Sequence, residues 1–201
     1  MKTMAMLHTT FILFLCLELA AGGGAVFTRW GKTTCPSGND VMYKGYAGGS
    51  HYQAKGGPGT TLCLPESPIY DNHSTAGSRS YLYGTEYQLE DPSLPLRKMF
   101  QHDVPCVVCR SRHMKSAVMV PARNDCFPEW HLEYKGYLFG GSTEHTASSD
   151  YVCVDGDPET IKGDDENKNG HLLFLVESTC GALPCPPYVN GWEMTCAVCT
   201  K

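Results

Sequence analysis

Eleven cysteines in 201 residues are the side chains with the most chemistry to offer. A pair two residues apart, as at Cys106 and Cys109 and again at Cys196 and Cys199, can hold a zinc ion, work as a redox dithiol or enter disulfides. The two pairs stand too far apart along the chain for a zinc ribbon, and neither opens a helix in the βαβ setting of a thioredoxin-like motif. That leaves a disulfide framework of Cys35, Cys63, Cys106, Cys109, Cys126, Cys153, Cys180, Cys185, Cys196 and Cys199. The remaining thiol, Cys16, lies in an apolar run that follows Lys2 and ends in the small residues Ala20 to Gly24. This order predicts a signal peptide over residues 1–24, and its apolar core is too short to span the ~30 Å of a bilayer. Cleavage leaves ten cysteines, an even number suited to five disulfides in a secreted, extracellular protein.

Other chemistries find less support. The sequence has no HExxH helix motif and no GxSxG elbow, and adjacent Ser50 and His51 on an extended chain would point to opposite faces, so no enzyme is expected. The acidic stretch from Asp155 to Asn169 offers oxygen ligands, with Asp155, Asp157 and Asp165 as calcium candidates. Read as an EF-hand loop from Asp165, it puts Val176 where Glu should close the loop; read from Asp155, it puts Thr160 where the turn needs Gly. A solvated acidic loop fits better, and no cofactor is expected. With 16 Lys plus Arg against 21 Asp plus Glu, a net charge of -5 and no basic run, nucleic acid is not an expected partner. Asn72, with Ser74 two residues on, is an N-glycosylation sequon.

The cysteines recur in a pattern. Cys35 is followed after seven residues by Tyr43-Lys44-Gly45-Tyr46 and then Gly48-Gly49-Ser50; Cys126 is followed after seven by Tyr134-Lys135-Gly136-Tyr137 and then Gly140-Gly141-Ser142. Cys63, Cys106 and Cys109 return as Cys153, Cys196 and Cys199, each displaced by 90 residues. The pattern implies a tandem duplication: a first repeat with an N-terminal arm over 25–110 and a second over 111–201. Four cysteines per repeat allow three pairings, which the spacing leaves open, although the two repeats should pair alike. Cys180 and Cys185, found only in the second repeat, are expected to bridge each other.

The elements that must hold this framework are short apolar, aromatic and β-branched runs bounded by Gly, Pro, Asn or Asp. They lie around Val41 to Tyr46, Tyr81 to Tyr87, Ala117 to Val120, Leu132 to Tyr134, Tyr151 to Val154 and Leu172 to Val176. No segment after the leader has a capped 3.6-residue period. The expectation is an all-β, disulfide-rich fold of two tandem pseudo-twofold repeats in one intertwined body. The Ala117–Val120 run is expected to be a strand shared between the halves. The duplicated segments carrying Tyr43, Tyr46, His51 and Tyr52, and Tyr134 and Tyr137, are expected to be Gly-rich loops presented as interfaces or as two related glycan sites.

Five segments resemble a known family: TRWGKTTCP (Thr28 to Pro36), YKGYAGGSHY (Tyr43 to Tyr52), YGTEYQ (Tyr83 to Gln88), VPCVVCR (Val104 to Arg110) and LPCPPYVNGWEMTCAVCTK (Leu183 to Lys201). They are similar to the C-terminal noncollagenous domain of sponge-type short-chain collagens, also found in collagen-free proteins of marine invertebrates. The resemblance runs from about Phe27 to Lys201. Collagenous Gly-X-Y repeats are missing from this sequence, where Gly56-Gly57-Pro58-Gly59 reads as a turn. The resemblance implies a secreted or extracellular-matrix role through association with other extracellular proteins or with itself. It also implies a tandem disulfide-bonded design like that of basement-membrane collagen end domains, and no catalytic residues.

Overall fold

The computed structural model describes residues 23–71, 78–89, 96–163 and 166–201. The leader through residue 22, the sequon at Asn72 and the calcium candidate Asp165 lie outside them. The described chain is all-β, with ten strands and one short 3-10 turn at Arg97–Met99. In chain order the strands are β1 (Val26–Trp30), β2 (Asn39–Gly49), β3 (Leu62–Pro65), β4 (Tyr83–Tyr87), β5 (Pro105–Ser111), β6 (Ala117–Pro121), β7 (His131–Gly140), β8 (Val152–Asp155), β9 (His171–Leu175) and β10 (Thr195–Thr200). None of the described helices is long and apolar enough to cross a membrane.

The cysteine pairs determine how the strands stack. Each CxxC lies on a strand, β5 or β10, where side chains alternate faces, so residues three apart point to opposite sides. Such a pair cannot close on itself. Cys109 instead bonds Cys35 and Cys106 bonds Cys63, while Cys199 bonds Cys126 and Cys196 bonds Cys153. The sequence separations are 74 and 43 residues in the first half and 73 and 43 in the second. Cys180 bonds Cys185 across a separation of 5.

The local geometry recurs as well. The register slips by one residue at Met42, between Val41 and Tyr43, where β2 meets β5, and at Glu133, between Leu132 and Tyr134, where β7 meets β10. These bulges let the first Tyr of each Tyr-Lys-Gly-Tyr segment reach a cysteine carbonyl: Tyr43 Oη lies 3.1 Å from the Cys63 oxygen and Tyr134 Oη 3.0 Å from that of Cys153. The glycine in each segment is dictated by a crossing backbone. A Cβ at Gly45 would collide with the Leu64 carbonyl, and one at Gly136 with the Val154 carbonyl.

Hydrogen-bonded neighbours run β6-β10-β7-β8-β1-β5-β2-β4-β9, and β9 pairs back onto β7. Seven strands therefore close into a ring, β7-β8-β1-β5-β2-β4-β9, with β6 and β10 outside it beyond β7 and β3 outside it beside β2. Inside lies a core of Tyr87, Phe139, Val154, Leu173, Val104 and Leu89, all at most 1% exposed. A second core, including Phe27, Cys109, Tyr134 and Cys196, lies where β1 and β5 meet β7 and β10.

Two sequence expectations are corrected here. The run at Ala117–Val120 is a strand, extended to Pro121, but among the described residues it pairs only with β10 and is not shared between the halves. The halves meet instead at the parallel pairs β1–β8 and β4–β9. The strands expected around Val41 to Tyr46 and Leu132 to Tyr134 are present as β2 and β7, the two longest strands; the loop expectation for Tyr43, Tyr46, Tyr134 and Tyr137 is what fails, because each segment is held between a CxxC strand and a second neighbour.

Loop-closure entropy grows with loop length, so the long bridges should stabilise more than the short one. Replacing Cys180 and Cys185 together by Ala is expected to cost about 2 kcal/mol, against about 4 kcal/mol or more for Cys35 with Cys109. Urea unfolding of the two double variants checks the order; a larger loss for the Cys180–Cys185 variant would contradict it.

Candidate functional site

The sequence-derived tyrosines do not form one site. Tyr43 and Tyr46 are exposed on β2, whereas Tyr134 is buried and Tyr137 packs against the ring core. Tyr134 has one phenolic proton and two carbonyls within reach, that of Thr28 at 2.9 Å and that of Cys153 at 3.0 Å, so it ties β1 to β8. Burial, reinforced by the nearby Asp155 charge, pushes its phenol above the ordinary tyrosine range.

His51 and Tyr52 do come together with other rings. Their centroids lie 4.7 Å apart; His51 meets Tyr83 edge-on at 5.0 Å, and Tyr52 meets His145 at 4.6 Å. His145 belongs to the loop after β7, as Tyr52 belongs to the loop after β2. The loops after β2 and β7 thus converge on one aromatic patch. Backbone bonds hold them: Tyr52 N–H donates to the Gly170 carbonyl (3.0 Å) and Ala147 N–H to that of Tyr52 (3.1 Å). Beside the patch lies a cavity of about 500 Å3 whose lining includes His51, Gln53, Ser80, Tyr81 and Tyr83. Flat rings beside hydroxyl, amide and imidazole groups can stack on and hydrogen-bond a polyhydroxylated ligand. Ser50 and His51 have separate partners: the Ser50 hydroxyl donates to the Pro58 carbonyl (2.6 Å), and His51 Nδ1 accepts from Gln53 N–H (3.2 Å).

His171, which the sequence did not single out, supports this region from beneath. Its ring packs where a Cβ on Gly49 would come within 2.7 Å of it. The Ser50 carbonyl, 3.1 Å from Nδ1, can only accept, so Nδ1 carries the proton and Nε2 faces the Thr61 hydroxyl at 3.2 Å. Burial holds the imidazole below its ordinary value of 6.5, a pull that the Ser50 hydrogen bond opposes in part.

A second set of residues joins β1 to β8; sequence reasoning named Asp155 and Asp157, as calcium candidates, but did not single out Arg29, Lys32, Thr33 or Glu159. Arg29 Nε and Nη2 lie 2.8 and 2.7 Å from Asp155 Oδ2, both side chains largely buried. Lys32 reaches Asp157 (3.1 Å) and Glu159 (3.4 Å). Glu159 Oε2 accepts from the Thr33 N–H and hydroxyl, and Glu159 N–H donates to the Gly31 carbonyl (2.6 Å). Partial burial of Glu159 works against its charge, but the Thr33 hydrogen bonds and Lys32 outweigh it and hold the carboxyl below its ordinary value. Two calcium candidates, Asp155 and Asp157, are thus partners of Arg29 and Lys32. Among the described residues no group of three or more His, Cys, Asp or Glu is arranged to hold a metal ion. Only the three-dimensional register brings these charges together; nothing in their local sequence announces it.

No family model matches the chain, and no curated protein matches it.

A histidine whose folded pKa is depressed leaves the unfolded state holding the extra proton, so its penalty is absent above pH 6.5 and grows as pH falls below it. Unfolding free energy of the native protein should therefore decline below that pH with a slope of at most about 1.4 kcal/mol per unit. His171→Gln should flatten this limb while leaving the more acidic loss that belongs to Glu159 and Asp157, whose depressed values act only below the ordinary carboxylate range. An unchanged limb in the variant would remove His171 as its cause.

Proposed function

We propose that the chain is a secreted, non-enzymatic extracellular protein of matrix type that works by protein–protein association. In this reading it consists of two tandem repeats locked into one intertwined body. The matched disulfides, matched bulges and matched Tyr-to-carbonyl bonds support the repeats, and a ring drawn from both halves supports the intertwining. The resemblance of the cysteine-centred motifs to short-chain collagen end domains points the same way.

The observation that carries the functional reading is the apolar surface of this bridged scaffold. Ile69 is 97% exposed, Tyr70 85% and Trp192 66%, and Phe127, Val118 and Leu62 are also open to solvent. Five disulfides suit an oxidising compartment outside the cytosol, and a body so constrained loses little further entropy when a partner covers such residues. A second reading, a soluble glycan-binding protein, is favoured by one feature: the tyrosine-lined cavity beside His51.

Retention of the oxidised protein on decellularised extracellular matrix, in the presence of chelator, separates the two. Protein–protein association predicts retention that survives enzymatic deglycosylation of the matrix. Retention lost on deglycosylation would transfer the assignment to the glycan reading, and no retention at all would overturn both.

A further inference from the structure

The seam between β1 and β8 is made once in the chain, yet the elements that make it exist twice. Trp30 and Pro121 occupy equivalent places, opposite Cys106 on β5 and Cys196 on β10. The next residues match in conformation and bonding: Gly31 (φ 79°) donates its N–H to the Pro105 carbonyl, and Ala122 (φ 61°) donates to that of Thr195, each at 2.8 Å. Likewise β3 and β8 each carry the cysteine that bonds the first member of a CxxC. The counterpart of the β8–β1 seam would thus join β3 to β6, and within the chain those two strands do not pair.

The internal seam is also heterologous. The second core combines Cys109, the last cysteine of the first CxxC, with Cys196, the first cysteine of the second, so the halves meet through non-equivalent faces. Contacts of that kind leave one unused copy of each surface, the condition for adding another copy head to tail.

The chemistry at the two unused surfaces differs from the seam in a consistent direction. Arg29 is replaced by Val120, Asp155 by Pro65 and Glu159 by Ile69, so the ion pairs are gone and apolar groups stand in their place. Beyond β3, Ile69 and Tyr70 project almost fully into solvent. Beside β6 lies an apolar cavity of about 290 Å3 lined by Val118, Val120, Pro121, Phe127 and Trp130 among others. The backbone differs too. Because Gly31 N–H is spent on Pro105, the Trp30↔Val154 bridge must run through the N–H groups of Trp30 and Asp155. Their counterparts are Pro121 and Pro65, and proline has no N–H to donate. A continuous ladder is therefore barred at the outer ends, while the bond from Glu159 N–H to Gly31 still has an available counterpart in Ile69 N–H and Ala122.

We propose that these ends form an interface between copies of this chain, in which Ile69 and Tyr70 after β3 of one molecule enter the apolar cavity flanked by Val120 and Phe127 beside β6 of the next. This rests on the association reading above and names its partner as a second copy. Side-chain burial carries the contact and the prolines keep it from becoming a continuous sheet, so it is reversible.

Analytical ultracentrifugation of the oxidised chain over a concentration series tests it. The native protein should sediment increasingly as head-to-tail multimers as concentration rises. Ile69→Asp and Phe127→Asp, each at an exposed position, should separately hold the chain at protomer mass. An equimolar mixture of the two should give a dimer, because one variant keeps an intact cavity and the other an intact Ile69. Recovery of the dimer also excludes misfolding as the cause of the single-variant losses. Native protein at protomer mass throughout, or a mixture that stays at protomer mass, would overturn the interface. Association undiminished in both variants would overturn it while leaving association itself, and the matrix-retention test, untouched.

Discussion

Everything in this fold follows from two cysteines placed three residues apart on an extended strand. Alternation of side chains sends them to opposite faces, so each must find a partner elsewhere in the chain. Cys109 reaches down its face to Cys35 and Cys106 up the other to Cys63, and the same holds for Cys199 and Cys196. The CxxC strand thereby becomes the fixed middle of each half. A helix would have put the two thiols on neighbouring positions of one side and removed the need for outside partners, which is why the strand setting and the pairing imply each other.

Once those middles are fixed, the neighbouring strands have little freedom. The Tyr-Lys-Gly-Tyr strand must lie against the CxxC strand on one edge and accept β3 or β8 on the other. The glycine is the only residue that lets the second backbone approach, since a side chain at Gly45 or Gly136 would occupy the position of a carbonyl. The bulge at Met42 and its counterpart at Glu133 bend the strand so that a tyrosine hydroxyl reaches the cysteine carbonyl beside it. At Glu133 the bulge also buries a carboxylate, satisfied by the Asn39 amide and the Thr200 hydroxyl at 2.7 Å each, which links the end of β10 to the start of β2.

Strands β2, β4, β6, β7, β8 and β9 were legible in the sequence because their signal is local, β-branched and aromatic runs between turn residues, whereas β1, β3, β5 and β10 were not among the runs singled out. The disulfide pairing was not legible, since the three alternatives differ only in which face each cysteine occupies, and that depends on the strand setting of VPCVVC and MTCAVC. The Ala117–Val120 run is a strand as its apolar pattern implies but is not a shared one, since that pattern specifies a pleated neighbour without saying which. The pairing across the seam was invisible for a stronger reason, although Asp155 and Asp157 were singled out as calcium candidates. Arg29 and Asp155 are 126 positions apart, and neither has a neighbour in sequence that marks it for the other.

The outer edges beside β3 and β6 differ in kind from the seam between β1 and β8. If β6 and β3 carried residues like Arg29 and Asp155, these edges would offer the same donors and charges that bind β1 to β8, and further strand pairing would meet no stop. Proline at positions 65 and 121 removes both bridging donors at the outer ends, the device that edge strands use against unlimited pairing. Yet the side chains there were not made polar. Ile69 is almost wholly exposed where the buried seam has a hydrogen-bonded glutamate, and Phe127 lies open beneath the Arg123 guanidinium, 4.6 Å from its ring. An edge selected only to repel would carry charge. One stripped of backbone donors but left apolar is shaped for contact of limited strength, which burial can supply and water can reverse.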